Sequence, residues 1–366
     1  MRLVGWLWFL TACTVPYVPK TEDDTDVVDT DPVAPTEDTD APPDDPDPWD
    51  TLPDEDDNGA GSDSADTGCD PGDLDLDGID DCRDNCDDVP NPLQANLDGD
   101  DEGDDCDLDL DGDSVPNDFD PWPQDPEWPG VASAETIYPH TSDSLFSFNV
   151  VTLSLNRVGA FRFNTAAGSV TDIAIDQFGV LYAITFTDLH ICRPRDAQCR
   201  HLGALQGISN NGLTFVPPSA LGGNGFLVGM GGTDWFVIES RGARWASRQL
   251  GRFDNQGTMS SGDAFSIEGV GTFASVQQSA NGPQDDIVVL DPATGAIQSR
   301  ICSMNQGPNY SQIWGLAGWT DGYIYAFDAG GDILRVDVAT GTYARIDSTP
   351  HAWWGAGVRT VIPPAP

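Results

Sequence analysis

Charge is divided so unevenly along this chain that it cannot fold as one uniform body. Of its 61 acidic residues, 42 lie between residues 21 and 130, a stretch with a single base, Arg83. That front segment carries a net charge of −41, whereas residues 131–366 set 19 acids against 13 arginines, a net of −6. The front buries too little hydrocarbon to offset the entropy of ordering its backbone. The back, 236 residues rich in Val, Ile, Leu, Phe and Trp, is long enough to enclose a sizeable core. So anionic a front excludes nucleic acid and anionic membrane surfaces as partners and favours cations. Lys20 is the only lysine of the chain, so there is no basic patch to argue from.

From residue 69 the acids become periodic. Asp73, Asp75, Asp77, Asp81 and Asp84 occupy positions 1, 3, 5, 9 and 12 of a twelve-residue loop, with Gly78 at position 6 and the Ile79 carbonyl at position 7. Alternate residues of a tight turn direct oxygens inward and glycine lets the chain bend, which is the spacing calcium needs. A second loop runs from Asn96 through Asp98, Asp100, Glu102 and Asp104 to Asp107. A third runs from Asp109 through Asp111, Asp113 and Asn117 to Asp120, with the Val115 carbonyl at position 7. No helical stretches separate the loops, as they would in an EF-hand pair.

Between the first two loops stands Asp84-Asn85-Cys86-Asp87-Asp88-Val89-Pro90-Asn91-Pro92-Leu93-Gln94, followed by Gly103-Asp104-Asp105-Cys106-Asp107 and Asp111-Gly112-Asp113-Ser114-Val115-Pro116-Asn117. These phrases resemble thrombospondin type 3 repeats over about 50 residues. The sequence departs from the family pattern in three respects. Asp87 replaces a proline, Asp101 and Ser114 replace the glycine of loops two and three, and the last repeat ends at Asp120-Pro121-Trp122-Pro123 without its cysteine. The resemblance implies an irregular, compact string of Ca2+ ions wrapped by residues 69–130. It also implies pairing of neighbouring cysteines, Cys69 with Cys82 and Cys86 with Cys106, although spacing alone leaves the other pairings of four cysteines open. Cross-links suit a segment with almost no core. Electrostatics point the same way: two carboxylates 4 Å apart repel by about 4 kcal/mol at an effective dielectric of 20, and a dipositive ion reverses the sign. The expectation is folding coupled to calcium binding, with affinity on the order of 10⁻⁴ to 10⁻³ M and magnesium a poor rival. The plainer alternative is a solvated acidic run.

Ahead of this region, Met1-Arg2 and the apolar run Leu3–Leu10 have the form of a secretory signal, too short to span a bilayer. Leu10-Thr11-Ala12-Cys13 resembles a bacterial lipobox, which implies that residues 1–12 are removed and that Cys13 becomes the lipidated N-terminus. A plain secretory signal with an incidental cysteine is the alternative. Thr14 implies, by the same analogy, the outer membrane or surface of a Gram-negative envelope, reached by export, with membrane contact through the lipid only. Residues 13–68 read as a disordered acidic tether; the Asp, Pro and Thr content of residues 21–68 favours extension of that part, to on the order of 150 Å if fully polyproline-like.

After Pro129 the texture changes to short apolar runs broken by Gly, Asp, Asn and Thr, with no sustained helical period, and the chain as a whole reads as mainly β. Strand-turn-strand units recur at 173–184, 225–229 and 318–327. Each is followed by a second hairpin ending in a similar phrase: Leu155–Gly159, Cys199–Gly203, Arg248–Gly251, Ala296–Ile301 and Tyr343–Asp347. Two of these hairpins share a turn, Asp291–Gly295 and Asp337–Gly341. The phrases return every 44 to 51 residues, the scale of a four-stranded propeller blade. Residues 131–366 therefore resemble the broad β-propeller class, with about five blades. The tail 353–361 is expected to supply the innermost strand of a blade begun by residues 136–163. A sandwich with long loops is the competing fold. Cys192 and Cys199 are placed to staple one hairpin; Cys302 reads as a buried thiol rather than a bridge between two chains.

No local motif announces catalysis. His140, His190, His201 and His351 show no zinc spacing; no Gly-x-Ser-x-Gly or phosphate-cradling loop occurs. His190 and His201 read as part of a surface turn. Glu268, Asp285, Asp286 and Asp321 are candidate acids, read first as solvated loop residues. Trp235, Trp245, Trp314, Trp319, Trp353 and Trp354 read first as core, with stacking on sugars or peptides as the other possibility. The reading that follows is a calcium-binding envelope lipoprotein whose propeller binds or adheres to a protein or glycan, without being an enzyme. The competing reading makes the propeller a lyase, glycosidase or dehydrogenase on a calcium-stiffened support.

Overall fold

Strands form where runs of β-branched and aromatic residues lie between Gly, Asp and Asn turns. The computed structural model describes residues 72–207, 212–223, 225–242, 244–278 and 282–362. The signal segment, Cys13, the tether and Cys69 lie outside the described residues.

The first unit holds β1 (Thr136–His140), β2 (Ser144–Asn149) and β3 (Ser154–Ala160), followed by the short β4 (Arg162–Phe163). The second is β5 (Asp172–Ile175), β6 (Leu181–Ile184), β7 (Asp188–Cys192) and β8 (Gln198–Gln206). The third is β9 (Gly212–Val216), the single helical turn α1 (Pro218–Leu221), β10 (Phe226–Gly231), β11 (Asp234–Ser240) and β12 (Arg244–Arg252). The fourth is β13 (Met259–Ile267), β14 (Gly271–Gln277), β15 (Asp286–Leu290) and β16 (Ile297–Ser303). The fifth is β17 (Ile313–Gly318), β18 (Tyr323–Asp328), β19 (Asp332–Asp337) and β20 (Tyr343–Ser348), and β21 (Gly355–Gly357) ends the series.

Each unit is an antiparallel meander. The last strand, β21, pairs with β1, with Tyr138 opposite Gly357 and His140 opposite Gly355, so the C-terminal strand completes the first sheet. The innermost strands adjoin in a cycle: β5 beside β9, β9 beside β13, β13 beside β17, β17 beside β21, and β21 beside β5. Among the described residues this gives five four-stranded units around one axis, a β-propeller-like architecture rather than a sandwich. Closing the cycle through the two ends of the domain leaves no open inner edge.

The recurring phrases all lie in outermost strands, β3, β8, β12, β16 and β20. Both shared turns are built alike. The Asp291 carboxylate accepts from the Ala293 and Thr294 N–H groups, Asp337 accepts from Ala339 and Thr340, and the closing glycines take φ 71° and 66°. One feature departs from isolated blades: β8 and β12 pair in parallel over Ala204–Gln206 and Arg244–Ala246, which fuses the second and third units into one sheet.

Core side chains fill the spaces between neighbouring sheets. Tyr138, Leu145, Ile173 and Leu181 pack between units one and two; Leu189, Leu213 and Phe236 pack between two and three. Trp235, Val228, Ala274 and Leu290 pack between three and four, and Trp353, Phe148, Phe327 and Tyr325 lie in the cluster that joins units four, five and one. Each such aromatic or branched side chain stabilises the fold by roughly 1.5–3 kcal/mol on burial. Trp235 and Trp353 are thus core, as expected, while Trp245, Trp314, Trp319 and Trp354 are half-buried.

Residues 72–130 contain no strand and no helix among the described residues. Their order comes from a repeated local bond in which an aspartate oxygen accepts the N–H two residues on: Asp77 to Ile79, Asp84 to Cys86, Asp100 to Glu102, Asp107 to Asp109, Asp113 to Val115 and Asp120 to Trp122. The Cys86–Cys106 disulfide ties the first two loops together, and Cys192–Cys199 staples the β7–β8 hairpin. Cys82 is also disulfide-bonded. Cys302 is buried with Sγ 3.7 Å from the Met304 sulfur.

Candidate metal centre

In each loop the alternating aspartates bring carboxylate oxygens to within 4.8 Å of one another: Asp73, Asp75 and Asp77; Asp98, Asp100 and Asp107; Asp109, Asp111 and Asp113. The turn geometry responsible is visible in the first loop, where Asp73 accepts from the N–H groups of Asp77 at 3.1 Å and Gly78 at 3.2 Å. Gly78 has φ 98° and Ser114, at the equivalent place of the third loop, has φ 77°, so serine there adopts the left-handed conformation that glycine takes readily. Ile79 and Val115 follow directly and are held by Asp77 and Asp113.

The remaining sequence-predicted ligands divide. Asp84 spends Oδ1 on the Cys86 N–H and the Gln94 side chain, while its buried Oδ2 has no hydrogen-bond partner. Asp120 is similar: Oδ1 accepts the Trp122 N–H at 2.7 Å and buried Oδ2 is unpartnered. Asp81 accepts the Leu74 N–H and Asp104 the Leu97 N–H, and neither joins a convergent group of acids; Asn96 accepts the Gly99 N–H and Asn117 the Leu110 N–H. Glu102 is exposed beside the second group.

The three groups differ in burial. The second is largely exposed, whereas Asp111 is 4 % exposed and Asp120 7 %. Both Asp111 oxygens, Asp109 Oδ1 and Asp113 Oδ2 are buried without a hydrogen-bond partner. Burial first, then the neighbouring carboxylates, pushes Asp113 up to about 7 and Asp120 up to about 6; burial likewise raises Asp111. Desolvated, mutually repelling carboxylate oxygens that point at one another are what a hard dipositive ion stabilises. The donor set, all oxygen and mostly anionic, fits calcium. A thiolate- or imidazole-seeking metal would find no suitable ligand in it.

A second polar cluster, absent from the sequence reading, lies on the axis of the propeller-like domain. Asp172 and Asp263 are both wholly buried, and their carboxyls are close enough to perturb one another. Asp172 accepts from the N–H groups of Ile173 in β5 at 2.8 Å and Leu213 in β9 at 2.5 Å. Asp263 accepts from Ala264 in β13 at 2.6 Å, Leu316 in β17 at 2.7 Å and Ala356 in β21 at 3.0 Å. Every innermost strand thus donates one N–H to the pair. Buried His140 lies alongside, with Nδ1 2.9 Å from the Thr141 carbonyl and Nε2 3.5 Å from Asp172. Burial lowers the imidazole to about 4, which leaves it neutral. Burial raises both carboxyls well above the usual carboxylate range, and the neighbouring Asp263 raises Asp172 further. The signal was present in the sequence as a register. Asp172, Gly212, Asp263, Gly315 and Gly355 each immediately precede a donating residue, and a Cβ on Gly355 would collide with Asp172 and His140.

Two of the four candidate acids read as solvated are corrected by the structure. Asp285 and Asp286 are buried, not solvated: Asp285 accepts the Ile313 N–H at 2.7 Å, and Asp286 bonds Ser303 and Arg300. Asp321 bonds Tyr325 from an exposed turn, and Glu268 is exposed. His190 is not at a surface turn either; it is wholly buried on β7, opposite His201, which bonds Asp188 at 2.9 Å.

No family model and no curated protein matches the chain. Among solved structures, a protein of unknown function from Bacteroides thetaiotaomicron is similar at 14 % identity and TM-score 0.36, over 63 % of each chain. BamB from Moraxella catarrhalis is similar at 12 % identity and TM-score 0.32, over 60 % of this chain and 61 % of its own. The computationally designed Ika8 protein is similar at 14 % identity and TM-score 0.29, over 62 % and 63 %. The match spans about three fifths of the length of each of these structures, and the likeness is one of remote architecture.

Proposed function

We propose that residues 73–120 bind calcium, as their resemblance to thrombospondin type 3 repeats implies, and that the chain is an exported, lipid-anchored envelope protein displaying a binding domain on this calcium-stiffened segment. Asp111 carries the reading: a carboxylate 4 % exposed, with neither oxygen in a well-formed hydrogen bond although the Asp113 and Asp125 N–H groups lie near, facing the oxygens of Asp109 and Asp113. Such a group is costly to hold charged in the folded state without a cation. Asp73, Asp75 and Asp77 would hold one ion, Asp98, Asp100 and Asp107 another, and Asp109, Asp111, Asp113 and Asp120 a third. The ion supplies charge compensation and cross-linking of the loops, no chemistry.

The buried axis supports a binding rather than catalytic role for the propeller-like domain. Its acid pair and histidine are sealed from solvent and occupied by five strand N–H groups, whereas a catalytic acid must reach its substrate. A protein or glycan is the partner class proposed for this domain.

Calorimetric titration of the chelator-treated chain with CaCl2 tests the calcium reading, with far-UV circular dichroism alongside. Saturable binding and a spectral change on the acidic segment are expected; a flat titration at millimolar calcium overturns it. For the anchor, Cys13→Ala is expected to release the protein from the membrane fraction, and retention would refute lipidation at that residue.

A further inference from the structure

Residues 115–128 do not stand clear of the folded domain. Val115, 1 % exposed, packs with Val180 and Ile191 of the second unit, and Phe119 and Trp122 close over the same patch. Phe119 meets Phe178 at 4.7 Å between ring centroids. The Arg200 guanidinium lies over Trp122 and Trp128, at 5.0 and 4.2 Å, and pairs with Asp125 at 2.8 Å. Arg193 and Arg195 both pair with Glu127. The receiving surface is itself fixed: Asp176 accepts the N–H groups of Phe178, Gly179 and Val180, and the Gly179 carbonyl receives the Ala132 N–H at 2.8 Å.

Two carboxylates join this contact to the third aspartate loop. Asp113 holds the Val115 N–H with Oδ1, and Asp120 holds the Trp122 N–H with Oδ1. The other oxygen of each, Oδ2, is buried and unpartnered beside Asp111. Whatever fixes these carboxylates therefore fixes the two residues, Val115 and Trp122, that seat on the domain. Without a cation the same carboxylates repel one another and the seat loosens with them.

We propose that a calcium ion in the third loop locks the acidic segment onto the second unit, making residues 109–128 a calcium-controlled joint between stalk and propeller-like domain. This rests on the calcium reading above but goes beyond it, because independent loops could bind calcium with no effect on the domain. By linkage the coupling is reciprocal: weakening the seat must weaken calcium binding in that loop, while the distant first loop is unaffected.

Hydrogen–deuterium exchange of the full chain, followed peptide by peptide across a CaCl2 titration, tests this. Calcium is expected to slow exchange in 109–128 and, at the same concentration, in 176–193, while leaving 313–348 unchanged. Asp111→Asn/Asp113→Asn should abolish protection of both segments together. Arg200→Gln and Phe178→Ala should raise the calcium concentration for half-protection of 109–120 by about fivefold or more while that for 73–84 stays put. Arg200 is partly exposed, so its variant keeps the test open should Phe178→Ala not fold. Protection of 73–120 without any response in 176–193, or an unmoved midpoint in Arg200→Gln, overturns the joint and leaves calcium binding intact. Absence of calcium protection anywhere overturns both.

Discussion

The axial pair makes a strong demand on Asp263. Replacing it with alanine leaves the N–H groups of Ala264, Leu316 and Ala356 without their acceptor in a site sealed from bulk solvent, since Asp263 is 0 % exposed. Each stranded buried donor costs about 1–3 kcal/mol, so the three together cost on the order of 3–9 kcal/mol. Against a domain stability of about 5–15 kcal/mol, that is a large fraction. Asp172→Ala strands two donors, Ile173 and Leu213, where Asp263→Ala strands three, so its cost is smaller, about 2–6 kcal/mol. Equilibrium denaturation in guanidinium, followed by tryptophan fluorescence and circular dichroism, measures both. The reasoning fails if Asp263→Ala costs less than about 1 kcal/mol, or if Asp172→Ala proves the more damaging substitution.

Further outcomes follow from single residues. Burial raises Asp285 from 3.8 to about 6, so its contribution to stability is complete below pH 3.8 and is lost as pH rises through 6. Asp285→Asn should therefore remove a decline on the order of 3 kcal/mol between pH 4 and 7 in denaturation midpoints; an unchanged slope refutes it. Gly341 has φ 66°, and a Cβ there would lie 2.5 Å from the Ile301 carbonyl, so Gly341→Val should cost more than 1 kcal/mol by thermal melting, whereas Thr340→Val should cost much less. Cys86→Ala/Cys106→Ala opens a cross-link 20 residues apart, worth about 3 kcal/mol in the unlinked chain, and should raise the calcium concentration for compaction of the acidic segment. Scattering profiles that compact at an unchanged calcium concentration would contradict that role.

Much of the domain's plan is legible in its sequence because its signals are local. Turns such as Asp291–Gly295 and Asp337–Gly341 declare themselves through residue chemistry, and the repeated outer-strand phrases give the period. Pairing of the tail with β1 was also readable, from the leftover strand at each end. The axial pair was not: Asp172 and Asp263 are 91 residues apart, and nothing local marks a carboxylate as buried until the strands of five units are set in register. Asp285 and Asp286 were misread for the same reason, since an Asp pair after Gly-Pro-Gln looks like an ordinary exposed turn. In the acidic segment, spacing selected the three convergent groups. It also included Asp81, Asp104, Asn96 and Asn117, which the turns use for their own N–H groups. The seat of Val115 and Trp122 on the second unit depends on surface shape, which spacing does not encode.

Pairing of β21 with β1 has a bearing on how such a chain is made. Synthesis delivers residues in order, so the sheet begun at Thr136 stays one strand short until Gly355–Gly357 arrive more than 200 residues later. Until that moment the Asp263 carboxylate lacks the Ala356 donor and the rim of β1 is open to any passing strand. Residues 355–357 therefore act as a completion check, and a chain clipped just before them is left with an adhesive edge and a half-solvated centre.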